Sequence, residues 1–200
     1  TPSNSSAASD VYKRQLESWL SGKAEVFFEN IGVRRGMHAL DFGCGVGHYT
    51  IPLAKLVGEG KVYAMDQDEK ALAQLTESAE AEGIHNIVPM KASADLRLHL
   101  GDESVDVILL YDILHFMNRE KRQKLYEEVY CVLKSHGILS VYPKHHKSDQ
   151  PLWNLEDMEL SDIIEEIESA GFSLRKKTRR QLMHNDNYDE GFVLTFGKRV

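Results

Sequence analysis

Three glycines alternate at Gly43, Gly45 and Gly47, directly after the apolar run Met37 to Phe42 and ahead of a helical stretch from His48 to Val57. Glycine lets a backbone turn sharply and lets a ligand approach it closely. The spacing is G-x-G-x-G with Asp41 ahead of it, whereas a dinucleotide loop has G-x-G-x-x-G and seats a pyrophosphate on the helix. Here the position for that last glycine holds His48, and an acidic residue at the mouth repels phosphate. A ligand carrying a cationic amine and a sulfonium fits such a mouth better. A ligand-free turn would account for one glycine, but hardly for three in alternation at this point. Further on, Asp66 closes the next apolar strand, where a carboxylate can accept hydrogen bonds from ribose hydroxyls. Asp68 is the better placed of the two to cap the following helix.

Proton chemistry near neutral pH points to histidine. His115 follows the apolar run Val105 to Tyr111, while His145 and His146 follow Ile138 to Tyr142. All three therefore stand at the same end of a sheet. A loop histidine is more often a packing or surface residue than a base, and the carboxylate of Asp112 has a turn cap as its plain alternative. The other six histidines, His38, His48, His85, His99, His136 and His184, share no spacing and read as incidental. Adjacent His145 and His146 point apart on an extended chain, so a metal site would need outside ligands that nothing in the pattern identifies. No metal is expected. The two cysteines, Cys44 and Cys131, build neither a disulfide framework nor a zinc spacing.

The elements that must position these residues alternate. Helical spacing of Leu16, Trp19, Leu20, Val26 and Phe27 predicts a leading helix with a break at Gly22. Strands are expected at 37–42, 61–65, 86–90, 105–111 and 138–142, and helices at 48–57, 69–82, 119–134 and 155–170. Two final strands, 172–178 and 191–198, flank a polar loop and should form an antiparallel hairpin at one edge. The predicted class is α/β: a mostly parallel sheet with helices on both faces and an antiparallel C-terminal hairpin. Ligands in such sheets sit at the carboxyl ends of the strands, near the switch in strand order.

The run Ala39-Leu40-Asp41-Phe42-Gly43-Cys44-Gly45-Val46-Gly47 resembles the first motif of class I S-adenosylmethionine-dependent methyltransferases. The similarity continues through Val62 to Asp66, Val105 to Ile108 and Val132 to Gly137, and is greatest to the small-molecule branch that includes quinone-biosynthesis C-methyltransferases. The resemblance implies a seven-stranded sheet with its last strand antiparallel, and S-adenosylmethionine as the cofactor. It places Asp41, Gly43, Cys44, Gly45 and Gly47 in the cofactor loop, Asp66 on the ribose and Gln67 along the adenosine edge. Many relatives carry an acidic residue near Ala92 for the adenine amine; this chain has none, leaving Ser93 through its backbone or Asp95 through its carboxylate as substitutes. Tyr111 and Asp112 are expected to face the methyl donor, with Asp112, His115 and His145 as the candidate catalytic groups.

Methyl transfer from a sulfonium is an in-line displacement, in which alignment alone is worth about 7–11 kcal/mol. A positioned base adds roughly 10²–10⁴-fold. The chain lacks Asn-Pro-Pro-Tyr and Asp-Pro-Pro-Tyr runs, a Pro-Cys or Thr-Cys nucleophile, the acidic cluster with Asp-Asn of metal-assisted catechol methylation, and cooperating thiols for arsenite. A small-molecule acceptor is left, with a non-catalytic cofactor-binding module or partner subunit as the alternative. An NAD(P)-dependent oxidoreductase is disfavoured by the glycine spacing and by the lack of a Tyr-x-x-x-Lys pair. A net charge of -7 argues against a nucleic-acid surface, and the basic run at Arg175 to Lys177 with Arg179 and Arg180 reads as a solvated edge. No apolar run reaches membrane-spanning length and no charged-then-apolar leader is seen, so a reducing, cytoplasmic setting is expected. Residues 1–14 are Ser- and Ala-rich and read as a disordered or cloning-derived tail, with one domain over 15–200. Oligomeric state is not legible. The leading helix and the loop Lys144 to Leu155 are the candidate covers of the mouth.

Overall fold

The computed structural model describes residues 4–184 and 187–199, with side chains from residue 10 onward. Its first element, α1, spans Asn4–Ser18, and a short π-helical turn over Trp19–Lys23 joins it to α2, Ala24–Ile31. The joint is where Gly22 takes a φ of 136°, a conformation closed to most other residues, so the break expected there is real. The expected tail over 1–14 differs from this: the helix is already formed at Asn4, and Tyr12 packs against the core. Residues 1–3 of that tail lie outside the described residues.

The sheet has seven strands: β1 (Ala39–Phe42), β2 (Val62–Asp66), β3 (Ile87–Lys91), β4 (Val105–Tyr111), β5 (Leu133–Tyr142), β6 (Phe172–His184) and β7 (Asn187–Lys198). Their order is β3-β2-β1-β4-β5-β7-β6; β1 to β5 pair in parallel, and β7 runs antiparallel to both β5 and β6. The switch in order lies between β1 and β4. Pro89 is tolerated in β3 because that strand is an edge, where one side needs no ladder donor.

Helices α3 (Thr50–Val57), α4 (Glu69–Ala81), α5 (Arg119–Val132) and α6 (Leu160–Ser169) complete the layers. Val107 and Leu109 of β4 pack with Phe28 of α2 and Leu53 and Val57 of α3, whereas Ile108 and Leu110 pack with Leu125 and Val129 of α5 and Ile163 of α6. Burial on both faces explains why β4 reads as an unbroken apolar run. Asp68 and Asn118 cap α4 and α5 by accepting from the backbone N–H of Lys70 and Lys121. The helix expected from residue 155 begins instead at Leu160, where Glu159 and Asp162 form a capping box; Trp153–Leu155 is a separate 3-10 turn.

The largest departure from expectation is at the C-terminal edge. The polar loop expected between the last strands is itself strand: β6 and β7 stay paired from Phe172↔Lys198 out to His184↔Asn187. Only Leu139 to Val141 of β5 pair with β7, so the ribbon continues past the sheet on the side of the strands' carboxyl ends. Among the described residues no helix is long and apolar enough to cross a membrane.

Candidate functional site

The loop after β1 turns on its three glycines, each with a positive φ, but for different reasons. A Cβ on Gly43 would lie 2.3 Å from Ile113 Cγ2, and one on Gly47 would lie 2.3 Å from Leu75 Cδ1. Both are packing glycines. Gly45 has nothing within 4 Å in that direction, and it lines a cavity of about 900 Å³. The Gly45 N–H donates to Asp66 Oδ2 at 2.8 Å, and the Asp68 N–H donates to Asp66 Oδ1 at 2.9 Å. Two backbone donors thus fix the carboxylate at the tip of β2 beside the bend, with further lone pairs available to hydroxyl donors.

Asp41 lies beneath this pair. It is buried, and Thr50 Oγ1 donates to its Oδ2 at 2.6 Å. Burial pushes its pKa up to about 6, against the lowering effect of the Thr50 bond, and the charge of Asp66 pushes the same way as burial. Burial and the charges of Asp41 and Asp66 also raise the Cys44 thiol far above its ordinary range, so Cys44 is an inert wall rather than a nucleophile.

Of the residues picked from the sequence for the cofactor, Asp41, Gly43, Cys44, Gly45, Asp66, Gln67, Ser93 and Tyr111 line the cavity. Gly47 and Asp95 do not. Asp95 accepts from Ser93 Oγ and from the Arg97 N–H, holding a turn, and the Ser93 bond keeps its carboxyl below the usual range. Its expected role at the adenine therefore has no geometric support. Tyr111 Oη bonds Ser140 Oγ at 2.7 Å, and burial raises its pKa.

The far end of the cavity is formed by Asp112, Phe116, Met117, Met183 and His184. Asp112 follows β4 with a φ of 54° and His145 follows β5 with a φ of 68°, both in the left-handed region that non-glycine residues seldom occupy. His145 and His115 stand behind Asp112 and do not line the cavity; their nearest ring nitrogens are 3.7 and 3.5 Å from Asp112 Oδ1. Burial lowers His115 to about 4, despite the opposing pull of Asp112, so its ring is neutral at neutral pH. His48 and His184, both set aside as incidental in the sequence, are the histidines among the described residues that line the cavity, and His184 has Nε2 3.0 Å from Asp112 Oδ2. The hydrogen bond and charge of Asp112 hold its pKa above the ordinary value against burial. His48 and Tyr49 also line the site; the Tyr49 hydroxyl donates to the Met183 carbonyl and pins the ribbon over the cavity. Trp19, Phe27 and Phe28 of the leading segment are buried core, so that candidate cover is packing, as is usual for an apolar helical stripe.

A family described as "Methyltransferase domain" matches residues 39–137. The crystal structure of a SAM-dependent methyltransferase from Aquifex aeolicus superposes with a TM-score of 0.74 at 26% identity, over 94% of this chain and 97% of that one. The chain belongs to the class I S-adenosylmethionine-dependent methyltransferases. S-adenosylmethionine is accordingly the cofactor of this methyltransferase. Among curated relatives, a demethylmenaquinone methyltransferase of Lactobacillus johnsonii is 30% identical over 122 residues, covering 60% of this chain and 49% of its own length. A sterol 24-C-methyltransferase of Aspergillus fumigatus is 26% identical over 165 residues, covering 78% of this chain and 43% of its own length. The chain thus spans less than half the length of these two relatives. The family match ends before β6 and β7, so the ribbon and His184 fall outside it. A sequence signal did exist: the run Asn185-Asp186-Asn187 is made of residue types that favour a tight turn.

Proposed function

We propose that this methyltransferase transfers the methyl group of S-adenosylmethionine to a small-molecule acceptor that enters at the Asp112–His184 end of the cavity. The observation that carries this reading is the continuity of one cavity from the Gly45–Asp66 bend to Asp112 and His184. Its volume of about 900 Å³ lies within the usual range for small-molecule sites. Gly45 and Asp66 would hold the ribose, Gln67 and Ser93 the adenosine edge, and Asp41 would offset positive charge from below. Bound S-adenosylmethionine supplies an electrophilic methyl on a sulfonium, a group poised for in-line displacement.

The chain's own residues then have three tasks. Met183 of the ribbon and Tyr49, which holds the ribbon down, would exclude water from the middle of the cavity. Asp112 and His184 would face the acceptor at its end of the cavity, with His145 and His115 set behind Asp112 in supporting places because neither lines the cavity. Phe116 lines the cavity and packs against Trp153 with ring centroids 5.0 Å apart, the two residues being 59% and 53% exposed. An exposed aromatic pair beside the cavity favours an acceptor with an apolar body. The two relatives, named as a demethylmenaquinone methyltransferase and a sterol 24-C-methyltransferase, favour the same class.

Incubation of a metabolite extract with a labelled methyl donor tests the reading. The wild-type chain should label a small-molecule fraction. Gly45→Arg places a side chain in the cavity at a left-handed position costing about 1–2 kcal/mol of backbone strain, so it should fold and lose labelling by about 100-fold or more. Asp66→Ala should do likewise. Equal labelling by all three proteins would remove the proposed cofactor site.

A further inference from the structure

We propose that Asp112, His145 and His184 form a binding site for one divalent transition-metal ion, opening onto the acceptor end of the cavity. One ligand atom from each lies within 4.8 Å of the others. Two atoms bonded to one zinc ion at about 2.0–2.2 Å are at most about 4.4 Å apart, so small side-chain rotations close the set. Two imidazoles and one carboxylate, with remaining positions open, are a donor set suited to zinc and to other late first-row ions.

The orientation of the rings is the stronger argument. His145 Nδ1 lies 3.0 Å from the carbonyl oxygen of Gln150, which only accepts, so Nδ1 carries the proton and Nε2 presents its lone pair. That Nε2 faces Asp112 Oδ1 at 3.7 Å. His184 Nδ1 lies 3.4 Å from Asp189 Oδ2, and its Nε2 faces Asp112 Oδ2 at 3.0 Å. Both rings thus turn Nδ1 to an acceptor and Nε2 to the same carboxylate, the arrangement in which a carbonyl or carboxylate behind a metal-bound histidine sets its tautomer. At His184 a proton on Nε2 can donate to Asp112 Oδ2, whereas the His145 Nε2 lone pair faces Asp112 Oδ1 with no proton between them, a repulsion that a cation would relieve. A single proton on His184 would settle only one of the two contacts; Asp112 Oδ1 is buried and has no hydrogen-bond partner. One metal ion satisfies both nitrogens and the carboxylate together.

The framework around the site is rigid. Asp112 and His145 both occupy left-handed backbone positions, and such strain concentrates where side chains must be held for function. Lys144, with its side chain fully buried, lies 2.9 Å from Asp189 and 2.7 Å from Asp149, fixing the carboxylate behind His184. Asp112 and His184 line the cavity, so the open coordination positions face the acceptor. An ion there would lower the pKa of a coordinated hydroxyl or thiol, with the proton released to solvent.

The site stands independently of where the methyl donor binds, and its test separates the two. Untagged protein is stripped with a chelator, then titrated with Zn²⁺ by calorimetry and checked by elemental analysis. One ion per chain should bind. His145→Ala and His184→Ala should each lower affinity by about 100-fold or more, and Asp189→Asn by about 10–100-fold, as for other groups behind metal ligands. His136→Ala, at an exposed position on β5, should bind as the wild type does. Each variant is also titrated with S-adenosylhomocysteine, and retained binding certifies its fold. Gly45→Arg should lose S-adenosylhomocysteine and keep zinc. A wild-type protein that takes up no stoichiometric zinc, or folded histidine variants that bind it undiminished, would overturn the site.

Discussion

Asp41 is a buried carboxylate whose charge is unfavourable to the fold. Its pKa of about 6 lies above the ordinary value of 3.8, so the folded chain binds this proton more tightly than the unfolded one. The associated stability is fully present below pH 3.8 and is lost as pH rises through 6. A shift of this size corresponds to about 3 kcal/mol. Asp41→Asn keeps an acceptor for the Thr50 hydroxyl and removes the charge. It should therefore raise the unfolding free energy by up to about 3 kcal/mol at pH 7.5, with the gain vanishing near pH 4. Binding of S-adenosylmethionine, measured by calorimetry, should weaken in the same variant. Denaturant curves that stay parallel to wild type at both pH values would contradict this account. Asp41, Gly45 and Asp66 were legible in the sequence because their signal is local: a strand, a glycine bend, and a carboxylate one strand away. His184 was not, since its partner Asp112 belongs to a different part of the chain and only the path of β6 brings them together.

Among the elements, the β6–β7 ribbon is the part that most distinguishes this site from a bare Rossmann-like sheet. It reaches past β5, and the contacts that hold it down include Tyr49 on the Met183 carbonyl, Gln15 accepting from the Tyr188 N–H at 3.0 Å, and Lys144 on Asp189. Lys144→Met would leave Asp149 and Asp189 without their cation. Removing one partner of a fully buried pair costs about 3–5 kcal/mol. These carboxylates keep 18% and 31% exposure, which brings the expected loss nearer 1–3 kcal/mol. The same variant should be cleaved faster by protease between residues 178 and 190 and bind S-adenosylhomocysteine less tightly. Unchanged cleavage would show that the lysine does not hold the ribbon. The sequence led to a loop here because Arg179 to Glu190 is almost wholly polar, and periodicity reports strand only where one face is buried. Leu182, Met183 and His184 are buried one after another, on both faces of the strand, so they give no alternation to read.

For the molecule as a whole, the alternation of strand and helix was enough to place the crevice, because right-handed crossovers leave little choice of topology once five parallel strands are assigned. What alternation cannot supply is how many separate segments close on one ligand. Cavity-lining residues extend from Asp41 through Asp66, Ser93 and Asp112 to His184, so binding draws together the ends of four parallel strands and the ribbon. A ligand that spans these segments should act on global unfolding rather than on one loop. At a concentration 100 times its dissociation constant, S-adenosylhomocysteine would add about 2.7 kcal/mol to the folded state. For a chain of this length that raises the melting temperature by about 5–10 °C. NAD(H) at the same concentration should leave it unchanged, since the carboxylates of Asp41 and Asp66 lining the cavity and the G-x-G-x-G spacing disfavour a pyrophosphate. The wild-type rise should disappear in Gly45→Arg. A comparable rise with NAD(H), or one that survives that substitution, would place the ligand elsewhere on the sheet and detach the bend at β1 from the chemistry assigned to it.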